Sequence, residues 1–347
     1  MWRIIGQSHA VALLENGLRA GNLSHAYLFV GPTHIGKATL ALDLAQALNC
    51  PGAHPPCGEC KSCHRIATGK HADVVIIDRN QDFGNQPDTP KHITISIDKI
   101  RKLQGQASLS AFEGKYKIFI IDGAEYLTPE AANCLLKVLE EPPPNVLIVL
   151  LADNKANLLP TVISRCQYLE LKPVPSIELE KVLNESYSVE SDKAKLLARL
   201  SEGCPGWAIM AADDDTFLEQ RSQKLSALFP LLQSSWEERF DYVAQIAGDR
   251  KLVEEVLKLW LTWWRDVMLA KCGCGQAITN VDAIAIIEEW TQALSMDEIK
   301  DFIASLQTSL EQIAKNANVR LVLEVLMLDM PKKKGGWRGT VAMPLSQ

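Results

Sequence analysis

Residues 25–49, HAYLFVGPTHIGKATLALDLAQALN, decide the fold of this chain. The segment opens with a short apolar run that predicts a buried strand, and its last thirteen residues place apolar side chains at helical spacing. The loop between them fits the phosphate-binding pattern G-x-x-x-x-G-K-[ST] at Gly31, Gly36 and Lys37. A strand, a glycine-containing loop and a helix in this order predict a nucleotide-binding α/β domain.

The position after the loop lysine departs from this pattern. The lysine of such a loop reaches the β- and γ-phosphates, and the hydroxyl that follows it coordinates Mg²⁺. Here Ala38 takes the hydroxyl position, and Thr39 comes one residue late, about 100° further round the helix. We therefore expect the loop to be able to hold ATP or ADP, with Mg²⁺ coordination and hydrolysis weak or absent.

Further apolar runs alternate with helical patterns along the first half of the chain. Strands are predicted at 72–78, 115–122 and 145–153, and helices at 96–108 and 129–141. Strands that alternate with helices predict a parallel sheet covered on both faces.

The segment KIFIIDGAEYL places Asp122 at the end of a predicted strand and Glu125 three residues later. In P-loop enzymes, such an aspartate helps to hold Mg²⁺, and a nearby residue positions the attacking water. The alternative is a turn with two solvated carboxylates. The phosphate-loop pattern earlier in the chain favours the nucleotide role for both residues, whether working or vestigial.

A cysteine cluster follows the first loop helix. Its C-x6-C-x2-C-x2-C spacing is formed by Cys50, Cys57, Cys60 and Cys63. Four thiolates on a short segment suit a structural zinc ion with no open coordination position. Four free thiols and an iron–sulfur cluster are the alternatives, and His54 or His64 could replace a ligand. The C-x-C pair of Cys272 and Cys274 is weak evidence for any site.

Composition limits the classes of function. The 347 residues carry a formal charge of −6, so any contact with DNA requires a local basic patch or a partner. The start of the chain has no signal-peptide pattern, and nine cysteines, an odd number, suggest a reducing cytoplasm. The apolar stretch at 252–270 includes five charged residues, which favours an amphipathic helix over a membrane span.

The pattern changes after residue 172. We predict an α/β domain over 1–172 with an insert at about 50–64, and a small helical domain over 173–213. A larger helical domain over 214–330 and a flexible tail over 331–347 follow.

Several motifs in this order resemble the AAA+ clamp-loader subunits of bacterial DNA polymerase III. They are HAYLFVGP…GK, the four-cysteine insert, IIDGAEYLTPEAANCLLKVLEEPPPNVLIVLLAD and LLPTVISRCQYLEL. The resemblance is close over residues 4 to 210 and extends beyond them in length and helical character. It implies a RecA-like AAA+ domain, a helical lid and an all-α collar that assembles with sister subunits. The implied function is in DNA replication, where the complex loads the sliding clamp onto primed DNA.

The resemblance also implies roles for individual residues. Arg165, in ISRC, would enter the ATP site of a neighbouring subunit, and Asn154 would lie near the γ-phosphate as a polar sensor. A local salt bridge and a turn-forming asparagine are the alternatives. Trp207 lies where motor subunits usually carry an arginine. With Ala38, this second departure favours a stator with impaired ATPase over a motor, and no polymerase active site is expected in the chain.

The implied partners are the tau/gamma and delta subunits, with the sliding clamp and primer–template DNA reached through the complex. No membrane partner is expected. Two other functions remain open: a tau/gamma-type ATPase motor in which Thr39 supplies the missing hydroxyl, and a free-standing DNA-binding protein with a decayed phosphate loop. The acidic balance disfavours the second, whose best basic patch is Lys99, Arg101 and Lys102.

Overall fold

The computed structural model describes residues 2–78 and 94–331. The predicted flexible tail lies outside these residues except for Pro331. The strands are β1 (Ala26–Val30), β2 (Val74–Ile77), β3 (Lys117–Asp122), β4 (Val146–Ala152) and β5 (Gln167–Glu170). The helices are α1 (Ser8–Ala20), α2 (Lys37–Asn49), α3 (Lys61–Ala67), α4 (Ile97–Ala107), α5 (Pro129–Glu140), α6 (Pro160–Ile163), α7 (Ser176–Tyr187), α8 (Ser191–Leu200), α9 (Pro205–Asp213), α10 (Thr216–Ser226), α11 (Leu228–Leu231), α12 (Trp236–Ile246), α13 (Arg250–Lys271), α14 (Ile284–Ala293), α15 (Met296–Ala314) and α16 (Val319–Asp329).

The five strands form one parallel sheet in the order β2-β3-β4-β1-β5. Every residue of β1 and β4 is buried. Such continuous apolar strands are expected where helices cover both faces of a sheet. The predicted α/β fold class with a parallel sheet is therefore confirmed. The four predicted strands form, and the fifth, β5, adds the edge next to β1.

Successive residues of β1 contribute to different clusters of buried side chains. Ala26, Leu28 and Val30 belong to the cluster that includes residues of α4 and α5. Tyr27 and Phe29 belong to the cluster that includes residues of α1 and α2. This alternation follows from the two-residue period of a strand, and it anchors the strand that leads into the phosphate-loop pattern.

The strand order brings three strand ends together. Val30 of β1 pairs with Ala152 of β4, and Leu151 of β4 pairs with Asp122 of β3. Residues that follow β1, β3 and β4 therefore meet at the same edge of the sheet. In open parallel sheets, this carboxyl edge is where ligands bind.

The chain divides into two compact units. The first comprises Met1–Leu179 and Glu202–Trp207, and the second comprises Glu180–Ser201 and Ala208–Gln347. The finer division into an AAA+ domain, a lid and a collar, with boundaries near 172 and 213, stays a prediction.

The described part of the second unit is helical around an aromatic core. Trp260, Trp263 and Trp264 of α13 are fully buried. The Trp264 ring lies 5.0 Å from that of Phe302 and 6.4 Å from that of Trp290, measured between centroids. The tryptophans of α13 thus pack within their own unit. Among the described residues, no helix is long and apolar enough to span a membrane.

Candidate functional site

A cavity of about 420 Å³ lies at the carboxyl edge of the sheet in the first unit. The predicted nucleotide and catalytic residues that line it are Gly36, Lys37, Ala38, Thr39, Asp122 and Glu125. The fold therefore brings the loop and the acidic motif together across 85 residues of sequence, as expected from their places after β1 and at the end of β3.

The loop requires glycine at two positions, for different structural reasons. Gly36 adopts φ +106°, a conformation that non-glycine residues rarely adopt, and it precedes the first residue of α2. A Cβ atom on Gly31 would lie 2.7 Å from the carbonyl oxygen of Leu171, so no larger side chain fits there without movement. Gly31 also contributes its carbonyl oxygen to the binding of Lys37.

The Lys37 ammonium is bound by its own chain. Its Nζ atom donates to the carbonyl oxygens of Gly31, at 2.7 Å, and Pro32, at 3.0 Å. It also lies 2.6 Å from Oδ1 of Asp153, and its side chain is only 9% exposed. An ammonium group has three protons to donate, so these three acceptors account for all of them.

Asp153 is the functional candidate that sequence reasoning missed. Its Oδ2 atom accepts a hydrogen bond from the Thr33 hydroxyl at 2.9 Å, so the carboxylate holds two groups of the loop. Its backbone N–H donates to Oε1 of Glu125 at 3.2 Å. The sequence contained a signal: Asp153 is the first polar residue after the seven buried residues of β4, much as Asp122 ends β3.

Asn154 is placed differently from its neighbour. Its side-chain oxygen accepts a hydrogen bond from the backbone N–H of Ala156 at 2.9 Å. This contact is typical of a turn-forming asparagine, which was the alternative to a role as polar sensor. Asp153, rather than Asn154, lines the cavity and contacts Lys37.

The cavity is strongly acidic. Lys37 is the only lysine or arginine among the described residues that line it. Withdrawal from bulk water raises the pKa of the Asp122 carboxyl, although one side of it faces the open cavity. Lys37 opposes that rise, while the three other carboxylates of the cavity add to it: Asp78, Asp153 and Glu125. An anionic ligand therefore meets one engaged cation and four acidic groups.

Glu125 keeps one unused oxygen. Its Oε2 atom is buried and makes no hydrogen bond, whereas Oε1 accepts from the Asp153 backbone. A buried acceptor without a partner is costly, and such atoms concentrate at functional sites. Thr39 also lines the cavity, whereas the Ala38 methyl group offers no ligand atom for a metal.

Arg165 lies outside this cavity, just after α6. Its Nη2 atom is 2.6 Å from Oε1 of Glu140, and its Nη1 atom donates to the carbonyl oxygen of Thr161 at 2.9 Å. The two partners of the ion pair remain 35% and 50% exposed. The local salt bridge considered as the alternative role is present, and it leaves Arg165 accessible at the surface. Trp207 packs against the core of the first unit.

The four predicted metal ligands converge. Their ligand atoms all lie within 4.8 Å of one another, and neither His54 nor His64 belongs to the cluster. The Sγ atom of Cys50 is 3.5 Å from that of Cys57 and 3.9 Å from that of Cys60. Zinc–sulfur bonds of about 2.3 Å in a tetrahedron place sulfur atoms about 3.8 Å apart. The observed spacing therefore fits a tetrahedral metal.

Backbone groups also prepare this cluster for a cation. The N–H groups of Cys60 and Glu59 lower the pKa of the Cys57 thiol to about 6, with help from the Cys50 side chain. Burial raises the pKa of Cys63 to about 12. A metal therefore meets a thiolate at Cys57 and displaces a proton from Cys63, as expected for thiolate ligands.

Comparisons with known proteins agree with the motifs. The family model described as DNA polymerase III, delta subunit, matches residues 6–175, and that described as DNA polymerase III, delta subunit, C terminal, matches residues 215–332. The DNA polymerase III subunit delta' of Bacillus subtilis is 30% identical over 327 residues, which cover 93% of this chain and 95% of that protein. The chain belongs to the delta-prime family. This membership makes it a clamp-loader subunit of DNA polymerase III that acts in replication.

This delta-prime family member is also similar to tau and gamma subunits. The tau subunit of Escherichia coli is 34% identical over 207 residues, 58% of this chain and 30% of that protein. A solved gamma subunit-related protein from Thermotoga maritima has a TM-score of 0.46 and 21% identity, with 91% of this chain and 97% of that chain covered.

Proposed function

We propose that this delta-prime family member is a stator of the clamp loader. It would assemble with tau/gamma and delta subunits, hydrolyse ATP weakly or not at all, and supply Arg165 to the ATP site of a neighbouring motor subunit. Sliding clamp and primer–template DNA would be engaged through the complex. The single observation that carries the proposal is the binding of Lys37 by its own chain, because the loop cation needed for phosphate is already engaged.

Two features of the chain's own site support weak or absent hydrolysis. Ala38 removes the hydroxyl that normally coordinates Mg²⁺ in a phosphate loop. Lys37 would have to leave three acceptors before it could reach the β- and γ-phosphates. Binding of ATP or ADP without turnover is compatible with both features, and Mg²⁺ coordination is the step that the residues support least.

The surface position of Arg165 supports a role in trans. An exposed ion pair such as that with Glu140 contributes only about 0–1 kcal/mol, so a phosphate from a neighbouring site can displace the carboxylate. An arginine supplied across an interface stabilises the charge on the transferring phosphoryl group and can raise its rate by about 10³–10⁵.

The test is ATP turnover by a reconstituted loader that contains tau/gamma and delta subunits. Arg165→Ala should reduce ATP turnover about 10³- to 10⁵-fold at the one motor site that Arg165 faces. The total ATPase rate of the loader should therefore fall by the fraction that this site contributes. Arg19→Ala is the matched control, since Arg19 is also an exposed arginine paired with a glutamate. An unchanged rate in a fully assembled Arg165→Ala complex would refute the role in trans.

We also propose that the four-cysteine cluster holds a structural zinc ion. Each of Cys50, Cys57 and Cys60 accepts a backbone N–H at 3.3–3.4 Å, which stabilises thiolate charge. Four protein ligands leave no position for water, so the ion would serve the fold of the insert rather than chemistry.

A second candidate function is a tau/gamma-type motor. Two observations favour keeping it: Thr39 lines the cavity, and Glu125 has a buried oxygen free to hold a water molecule. Turnover by the isolated chain that disappears in both Lys37→Ala and Glu125→Gln would support this candidate over the stator.

The free-standing DNA-binding alternative has less support. Lys99, the first residue of its basic patch, is buried, and its Nζ atom donates to the carbonyl oxygen of Asp78 at 2.9 Å. Arg101 pairs with Asp98 on the same helix at 3.6 Å. The patch therefore presents less free positive charge than the sequence suggested.

A further inference from the structure

We propose that Asp153 acts as an internal anion that occludes the phosphate loop, so that a nucleoside polyphosphate binds only after the Asp153–Lys37 pair opens. The inference rests on the proposal that this loop is the chain's nucleotide site. It goes beyond the loss of the hydroxyl at Ala38, because it identifies a residue that opposes binding itself rather than metal coordination.

The two oxygens of Asp153 engage the loop separately. Oδ1 accepts from Lys37 at 2.6 Å, and Oδ2 accepts from the Thr33 hydroxyl at 2.9 Å. Phosphate oxygens use the same kinds of donor, an ammonium and a hydroxyl, in charge-assisted hydrogen bonds. The carboxylate and a phosphate therefore compete for the same groups.

The backbone keeps Asp153 in this position. The residue directly follows β4, which pairs with β1 in register up to Val30 and Ala152. Its N–H donates to Oε1 of Glu125, so the acidic motif after β3 helps to orient it. The carboxylate that faces Lys37 is thus held by the strand order rather than by a loose loop.

Opening the ion pair would not remove the negative charge. A displaced Asp153 carboxylate would stay close to a bound polyphosphate, in a cavity that also contains Asp78, Asp122 and Glu125. Like charges this close oppose each other strongly where water is partly excluded. Neutralising Asp153 should therefore assist binding in two ways: it replaces the ion pair with Lys37 by a weaker neutral hydrogen bond, and it removes one repulsive charge.

The decisive variant is Asp153→Asn, which keeps the shape of the side chain and removes its charge. ATP and inorganic pyrophosphate are titrated calorimetrically into the full chain, without Mg²⁺ so that the missing metal ligand does not intervene. We expect the variant to bind both probes about three- to fivefold more tightly than the unaltered chain, because the Asp153 side chain is 46% exposed and water screens its pair with Lys37.

Three further variants test whether the gain in affinity arises from the pair of Asp153 and Lys37. Asp241→Asn removes the same charge from an exposed position of α12 in the second unit, and it should leave affinity unchanged. Lys37→Ala combined with Asp153→Asn should abolish the gain. Asp153→Ala removes both the charge and the acceptor oxygens and should give a similar gain, which keeps the inference testable if Asp153→Asn folds poorly.

Two results would overturn the occlusion. One is equal affinity of the unaltered chain and Asp153→Asn for both probes, and the other is no detectable binding by either protein at millimolar concentration, with their folds confirmed by circular dichroism. Neither result bears on Arg165, whose role is measured by turnover at a neighbour's site. Failure of the occlusion and failure of the stator proposal are therefore distinguishable.

Discussion

Replacing Asp73 should destabilise the first unit more than any change at an exposed carboxylate. Asp73 is 1% exposed and lies just before β2. Its carboxylate accepts the backbone N–H groups of three consecutive residues at 2.7–2.8 Å: Phe112, Glu113 and Gly114. These bonds fix the segment that leads into β3, the strand that ends at Asp122.

The number of these hydrogen bonds sets the expected loss of stability. Hydrogen bonds to a charged group contribute about 1.5–3 kcal/mol each, and a donor left buried without a partner adds a penalty. An asparagine at position 73 keeps one acceptor oxygen and turns an N–H group toward the remaining backbone donors. We therefore expect Asp73→Asn to reduce the free energy of unfolding by about 3–5 kcal/mol.

The pH dependence provides a second measure of the same effect. Burial acts to raise the pKa of Asp73, but the three hydrogen bonds and nearby His71 outweigh it, so the pKa lies below its usual value of 3.8. A carboxyl group with a lowered pKa in the folded state stabilises the protein above its unfolded pKa and loses that contribution as pH falls. The difference between the two proteins should be complete above about pH 5 and shrink below about pH 4.

Hydrogen exchange of peptides from β2 and β3, measured in increasing urea, reports on the first unit. Peptides from α13 in the second unit serve as an internal reference. Asp98→Asn is the control variant, because Asp98 is 77% exposed. A loss below about 1 kcal/mol for Asp73→Asn, or a difference that does not shrink at low pH, would refute the account of Asp73.

Two further predictions concern the metal cluster and the aromatic core. Cys60→Ser should reduce the zinc content from one ion per chain to near zero, because three thiolates leave the tetrahedron open. Mass spectrometry of the intact protein measures this content. The control Cys274→Ser, at an exposed cysteine, should retain the metal. Zinc retained by Cys60→Ser would contradict the four-cysteine site. Trp264→Ala should cost about 3–5 kcal/mol in thermal or chemical unfolding of the second unit, with a much smaller loss for Trp236→Ala, whose side chain is 41% exposed. Equal losses would show that burial in the aromatic core does not set the stability.

The central sheet was predictable because its strands carry strong local signals. β1 and β4 are continuous apolar runs, β3 contains one at 118–121, and each strand is followed by a glycine or a polar residue. β5 was missed because it is a four-residue edge strand in which only Leu169 is buried. A short strand that is mostly exposed lacks the apolar run that marks a buried one.

The pairing of charges was less predictable than the positions of the charged residues. Lys37 and Asp153 are 116 residues apart, and only the strand order shows that they meet. Lys99 appeared as part of a surface patch, yet its ammonium group reaches a backbone carbonyl oxygen while the side chain is buried. A helical pattern alone does not show that a carbonyl oxygen from another element lies within reach of this ammonium group.

Helix α2 connects the two candidate sites from end to end. It begins at Lys37 of the phosphate loop, and its last residue, Asn49, directly precedes Cys50. Asn49 exchanges two hydrogen bonds with the backbone of Tyr116, and Gln46 donates to the carbonyl oxygen of Cys63 at 2.7 Å. Thirteen residues make a rod about 20 Å long. The insert is therefore joined to the end of this helix that lies opposite the phosphate loop, so a change that loosens the cysteine cluster also removes contacts of the last turn of α2.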